Sequence, residues 1–403
     1  MNASIIFLSL SALISSAGTT LFVSALALSI FSVDSLAVKA SGVYIAQFLP
    51  AIFLLPLAVR ICDSYAVREG LVKIEIVSAI VTVIMGLCVQ SDWLLAVYLI
   101  LAVRGFLELT TKTYRSVGVK SLADPMSLDK ANNFVMGGGF FGQAFGALAG
   151  FILVSKISLL SIAVIDGLTY VASAMCCMRM RSVGGNKKLS SPVLSSTRAG
   201  LAEIRENEIL RLYFMCFSLV VIIFQSYNQV ARTWIPLAWL NMGLGKGIVG
   251  EMIGCLGIVV GVLIVNYFLS STRVAKLQVI IAILLAAMFV GAPFVTKNSL
   301  MSLSFYFMYM VLFEVGLMVS MNGLLSVCPE NRVASVMGLF YGVSFGGLTV
   351  VGLSIAFAAD VYGLPVVSLA LSVVAVLSLC LICFVPVFIS RMKSNLIKPK
   401  LKL

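Results

Sequence analysis

Of the ionisable residues inside the long apolar runs of this 403-residue chain, six stand out: Arg104, Glu108, Asp166, Arg232, Glu251 and Glu314. A charge in hydrocarbon costs several kcal/mol unless it is paired or hydrated, so each marks a place where something charged is bound or moved. Arg104 and Glu108 are four apart, which on a helix puts them on one face and within reach of each other. Arg232 and Glu251 fall near the ends of two neighbouring runs and suit an ion pair there. Glu314 has no basic residue close to it along its run. It is therefore the first candidate for a group that takes up and releases a proton, with Glu108 and Asp166 behind it. The chain contains no histidine, which removes Ser/His/Asp triads, Cys/His pairs and His-ligated metal sites. No catalytic constellation, no cofactor or metal motif and no Walker-type phosphate loop is present. The chemistry on offer is ion and proton binding, and the chain is not expected to be an enzyme.

The elements that hold these charges follow from composition. Hydrophobic residues make up 61% and charged residues 11%, with a mean hydropathy of +1.11, against about 25% charged in soluble domains. The solvent is therefore lipid. A bilayer core needs about 20 apolar residues per helix. Runs of that kind fall at 4–31, 38–59, 71–90, 93–114, 133–154, 158–178, 210–234, 247–269, 277–296, 300–326, 333–358 and 365–390. The first run is too long for a leader's apolar core and has no basic segment before it, so it reads as the first span. The nine cysteines lie mostly within the runs. Cys380 and Cys383 form a CxxC inside the last run, where free thiols act as small apolar groups. The prediction is an all-α membrane protein of twelve spans in two pseudo-symmetric six-helix halves.

Charge sets the orientation. With the N-terminus inside, 22 of the 28 basic residues fall in inside loops and 4 in outside loops. That asymmetry predicts that both termini are cytoplasmic, in a multi-pass protein of a bacterial inner membrane. It also accounts for the net charge of +12 without nucleic acid. Residues 1–180 then form the N-terminal half, 181–209 a cytoplasmic linker, 210–390 the C-terminal half and 391–403 a basic tail. Within the linker, Leu201, Ile204 and Ile209 alternate with charges, as in an amphipathic helix on the membrane surface or a solvated connection. An internal repeat supports the division: Gly138, Phe140, Gly142, Phe145 and Gly146 recur 200 residues later as Gly338, Phe340, Gly342, Phe345 and Gly346. Glycines four apart, at 142, 146 and 150, leave one helix face bare, so that another helix can approach closely.

Two motifs carry a resemblance that extends diffusely over nearly the whole chain. Pro56-Leu-Ala-Val-Arg60-Ile-Cys-Asp63-Ser-Tyr-Ala-Val-Arg68 and Gly138-Gly-Phe-Phe-Gly142-Gln-Ala-Phe-Gly146-Ala-Leu-Ala-Gly150 resemble the loop between spans two and three, and the glycine-rich span five, of the major facilitator superfamily. Its drug and macrolide efflux branch of proton antiporters is the nearest match, because Leu128-Asp-Lys-Ala-Asn132 and Asp166-Gly-Leu-Thr-Tyr170 also resemble that branch. Val59 and Ser64 replace the usual Gly and Arg of the loop, Ala147 replaces a usual Pro, and Thr19 stands where a carboxylate is common. The resemblance implies that Asp63, Arg68 and Arg115 latch the cytoplasmic side, and that spans one, four, seven and ten line a central cavity. It also implies proton-driven outward transport by a carrier that works as a monomer in the bilayer. The cavity residues would then be Ser16, Thr20, Arg104, Gln225, Asn228, Tyr306, Tyr309 and Phe313, although the aromatic run 305–309 also suits packing. The substrate would be a small amphipathic compound. Alternatives are a peptide antibiotic of the microcin type, a siderophore or, in the inward direction, a nutrient.

Overall fold

The computed structural model describes residues 2–34, 43, 46–47, 50–91, 93–123, 128–154, 156–184, 193–243, 249–269 and 275–396. Lys39, Lys187, Lys188, Lys246, Arg273, Lys398, Lys400 and Lys402, all counted in the orientation of the chain, lie outside them. Among the described residues thirteen helices follow in order. The first six are α1 Ala3–Asp34, α2 Pro50–Ser64, α3 Val67–Gln90, α4 Leu94–Leu122, α5 Leu128–Leu153 and α6 Leu159–Met178. The short α7 Val193–Glu206 connects them to α8 Glu208–Trp239, α9 Val249–Phe268, α10 Ala275–Phe289, α11 Ser299–Val327, α12 Val333–Tyr362 and α13 Leu364–Leu396.

Among the described residues, nine helices are long and apolar enough to cross a membrane. The other three bundle helices are α2, α4 and α5. At about 1.5 Å per residue, the 29 residues of α4 still reach well beyond a bilayer core. Arg104, Glu108, Lys112, Arg115 and Lys120 lower its hydropathy, and α5 carries glycines where leucines would stand. Local signals set several ends. The Asn207 side chain accepts from the amides of Ile209 and Leu210 to start α8, and Asn298 accepts from Met301 at 3.1 Å to start α11. Gly363, at φ +80°, makes the turn between α12 and α13. Large apolar side chains such as Phe53, Leu95, Met288 and Phe357 stand out from the bundle, as a lipid-facing surface requires.

In the N-terminal half α1 packs on α5 and α6, and α3 on α4 and α6. In the C-terminal half α9 and α10 pack on α11, and α8 on α12. The halves meet through α2 against α12 and α5 against α9, which is the same pairing with the halves exchanged. The glycine stripe of α5 acts within its own half. A Cβ placed on Gly138, Gly142 or Gly146 would stand 2.7, 2.1 or 2.2 Å from the carbonyl oxygen of Ser9, Leu13 or Ala17 of α1. On Gly150 it would meet only a Leu21 methyl at 3.7 Å. The repeat copy does different work. A Cβ on Gly338 would meet Val59 of α2 at 2.2 Å, so the start of α12 is thinned to fit the opposite half.

Two expectations need correction. The linker helix does not lie free on a lipid surface. Gly200 packs on Ser335 and Leu339 of α12, Ile204 is buried, and α7 also touches α2, so it straps both halves together. It ends at Glu206, and Ile209 belongs to α8. Span four also runs past residue 114 to Leu122. Lys112 and Arg115 are therefore helix residues facing the interior, which removes two bases from the inside-loop tally.

Candidate functional site

Where the halves face each other they enclose a cavity of about 250 Å³. Its two walls differ in chemistry. The N-terminal half presents hydroxyls from Ser15, Ser16, Thr19, Thr20 and Ser24, amides from Gln47 and Gln143, and the charges of Glu75, Glu108, Lys112 and Arg115. The C-terminal half presents Phe217, Val221, Ile258, Phe313, Leu317 and Phe345, with Gln225, Gln229, Arg232 and Glu251 at one end. This asymmetry comes from α1, whose serines and threonines recur on one face. It also comes from α8, where π-helical turns at Val220–Gln225 and Ile235–Trp239 break the α-helical register around the polar stretch.

Of the residues expected to form the cavity, Ser16, Thr20, Gln225 and Phe313 line it. Arg104, Asn228, Tyr306 and Tyr309 do not, because each is taken up by a neighbouring helix. Arg104 Nη2 lies 2.6 Å from Asp166 Oδ2 and donates to the Tyr170 hydroxyl at 3.3 Å. The Tyr306 hydroxyl donates to Asn228, and that of Tyr309 to the Phe224 carbonyl at 2.7 Å. The aromatic run of α11 is thus packing between α8 and α11. The Arg104–Glu108 pair expected from spacing does not form either. Glu108 faces the cavity, accepts from Gln47, and pairs with Lys112 at 2.7 Å. Tyr170, held to Thr19 by a 2.8 Å hydrogen bond, stands between the Arg104–Asp166 pair and the cavity.

Glu314 is fully buried but lies off the cavity wall. A Cβ on Gly261 of α9 would stand 2.6 Å from the Glu314 Cβ, so this side chain is wedged between α9 and α11. Neither of its carboxylate oxygens has a hydrogen-bond partner. Arg232 and Glu251 pair at 2.8 Å and line the cavity instead of facing outside. Asp63 and Arg68 sit half-buried at the turn between α2 and α3, away from the cavity. Arg115 does not join them. It reaches Glu75 of α3 at 3.1 Å and the Ser15 hydroxyl at 2.8 Å.

Sequence reasoning missed Glu75, which is 1% exposed with one oxygen unbonded. Its position eight residues into α3 was the available signal. It also missed the seal at the end that carries the N-terminus. There Asn132 donates to Asn322 at 2.7 Å and Asn322 donates to Asn133 at 2.8 Å. Lys120 donates to the Leu325 carbonyl at 2.7 Å, and the hydroxyls of Ser116 and Tyr341 lie 3.3 Å apart. All four contacts join one half to the other. No group of three or more Cys, Asp or Glu side chains among the described residues could hold a metal ion. The arrangement offers hydroxyls, amides and charged groups to a bound solute, and among the described residues that line it no nucleophile is paired with a histidine or other imidazole base.

Residues 8–352 match the profile described as Major Facilitator Superfamily. No curated protein sequence matches the chain. Solved structures of similar fold include the human organic anion transporter MFSD10, with a TM-score of 0.71, 14% identity, and coverage of 94% of this chain and 99% of that one. A bacterial homologue of the iron transporter ferroportin, in an outward-facing state, gives 0.66 and 16%, covering 95% and 99%. The Escherichia coli fucose:proton symporter FucP gives 0.64 and 14%, covering 95% and 99%.

Proposed function

Because this chain belongs to the major facilitator superfamily, we propose that it is a secondary active exporter of small amphipathic compounds, exchanging them for protons by alternating access. The observation that carries this reading is the two-sided cavity, with a hydroxyl- and charge-bearing wall on one half and an aromatic wall on the other. A solute with one polar and one apolar face is satisfied on both sides there. The polar seal closes the cavity at the terminal end. With both termini in the cytoplasm of a bacterial cell, that seal is the inner gate. Such a gate of a few hydrogen bonds can be broken and remade within one cycle, since each is worth only about 0.5–1.5 kcal/mol net between neutral groups and about 1.5–3 kcal/mol for the Lys120 ammonium.

Antiport needs the proton and the solute to exclude each other. Glu108 is placed for this, because its side chain faces the cavity and keeps 24% exposure, whereas Asp166 and Glu314 are enclosed. We therefore assign the exchange to Glu108 in preference to Glu314. The test is substrate-induced proton release from purified protein, for the parent, Glu108→Gln and Glu314→Gln. Loss in Glu108→Gln alone supports the assignment, and loss in Glu314→Gln alone overturns it. Direction is tested by uptake into inverted vesicles against right-side-out vesicles under an imposed proton gradient. Accumulation only in right-side-out vesicles would mean import.

A further inference from the structure

Among the described residues six charged side chains face the cavity, three acids and three bases. They cancel pair by pair: Lys112 with Glu108 at 2.7 Å, Arg115 with Glu75 at 3.1 Å, and Arg232 with Glu251 at 2.8 Å. Behind the wall Arg104 and Asp166 cancel as well. The pairs are not equally available. Lys112 and Glu108 keep side-chain exposures of 34% and 24%, while the other cavity pairs range from 1% to 15%. Water reaches the first pair, so its partners can be traded for those of a ligand. The Lys112 ammonium also lies 4.6 Å from the centre of the Phe345 ring on the opposite half. The exchangeable pair therefore stands where the polar wall meets the aromatic one.

A ligand of net charge that took up one ion of this pair would leave the other without its partner and, with the ligand's body beside it, with less of the water that now reaches it. A neutral ligand would leave the pair intact and gain nothing from it. A ligand carrying one ammonium and one carboxylate or phosphate inserts into the pair, its cation on Glu108 and its anion on Lys112. One ion pair becomes two, and no charge is left over. We infer that the transported compound is an amphipathic zwitterion, bound by its ionic groups to Glu108 and Lys112, with its apolar body against Phe217, Phe313 and Phe345. This rests on the reading of the cavity as the site of an amphipathic solute, and it adds the charge class.

The experiment uses one apolar body in four charge states: the dipeptide phenylalanyl-leucine, its C-terminal amide, its N-acetyl form and the doubly blocked form. Each is titrated against the purified full-length protein by calorimetry at neutral pH. The free dipeptide is expected to bind at least about 10-fold more tightly than each of the other three. Lys112→Gln should erase its advantage over the amide, and Glu108→Gln its advantage over the acetylated form. The doubly blocked form should be affected least, and both variants should keep the melting temperature of the parent. Equal binding by all four, or tighter binding by a singly charged member, overturns the zwitterion and leaves the amphipathic carrier standing. So does an unchanged ranking in both variants. Binding by none of the four counts against both.

Discussion

The stripe of glycines on α5 gives the sharpest structural test, because neighbouring glycines face very different surroundings. Ordinary carbon contacts lie at 3.4–4 Å, while a methyl added at Gly146 would stand 2.2 Å from the Ala17 carbonyl oxygen. To accept it, α1 and α5 must part by roughly 1 Å along several turns. The obstacle is backbone, so no side-chain rotation relieves it. Overpacking of this kind costs about 1–3 kcal/mol, and Gly142, at 2.1 Å from Leu13, is equivalent. At Gly150 the nearest atom is a methyl at 3.7 Å, and alanine there gains up to about 1 kcal/mol of helix propensity. Gly146→Ala and Gly142→Ala should therefore lower the melting temperature of the purified protein and slow transport in proteoliposomes, and Gly146→Leu should abolish it. Gly150→Ala should melt at or above the parent and transport normally. Equal melting of Gly146→Ala and Gly150→Ala would refute the reasoning, since it would mean that α1 and α5 do not touch.

The other expectations can be checked singly. Asn322→Ala removes both bonds of the asparagine clasp, so a variant keeping only Cys328, which is buried near the seal, should react faster with a maleimide once Asn322 is replaced; unchanged labelling would mean that the clasp does not hold the gate. Glu314→Met replaces a buried carboxylate that lacks partners with a side chain of similar length, and should stabilise the protein by about 1–3 kcal/mol; a lower melting temperature would show that the carboxylate has a structural partner. Asp63→Asn should slow transport without changing the melting temperature, and full activity would reduce that segment to a plain turn. A reporter fused after Leu403 should be active only in its cytoplasmic form; activity in the periplasm would invert the orientation of gate and cavity.

The glycine stripe was legible in the sequence because spacing dictates which residues share a helix face; Gly142 and Gly146 press on α1, whereas a Cβ on Gly150, placed on the same bare face, would meet only a methyl at 3.7 Å. Glycine spacing does not say which helix will fill the face: Gly338, the repeat of Gly138, fits α2 of the other half. Hydropathy placed the spans well where helices face lipid. It failed on α4, which ends at Leu122, because a helix that borders a hydrated cavity stays polar beyond the point where an apolar window stops. Arg115 fell beyond the run for that reason, Lys112 was counted with the inside loop although its run reaches residue 114, and Glu75 was passed over although it lies in the run 71–90. Glu314 was singled out for having no basic neighbour along its own run. That property persists in three dimensions, but it arises from contact with Gly261 across α9 rather than from the cavity. The asparagine clasp was out of reach, since it depends on the meeting of residues about 190 positions apart.

The two π-helical turns of α8 have a consequence for how the carrier can move. Each such turn holds one residue more than an α-helical turn would. If either relaxed to regular α-helix, everything beyond it would advance by one residue and swing about 100° around the helix axis. Arg232 lies between the two turns, so if the extra residue of the first turn passed to the second, its guanidinium would rotate about the helix axis while both ends of α8 kept their places. Such a shift would be a rotation inside a single rod, separate from any rocking of one half against the other. A spin label on Arg232→Cys would register that rotation as a change in orientation without a change in the distance between helix ends.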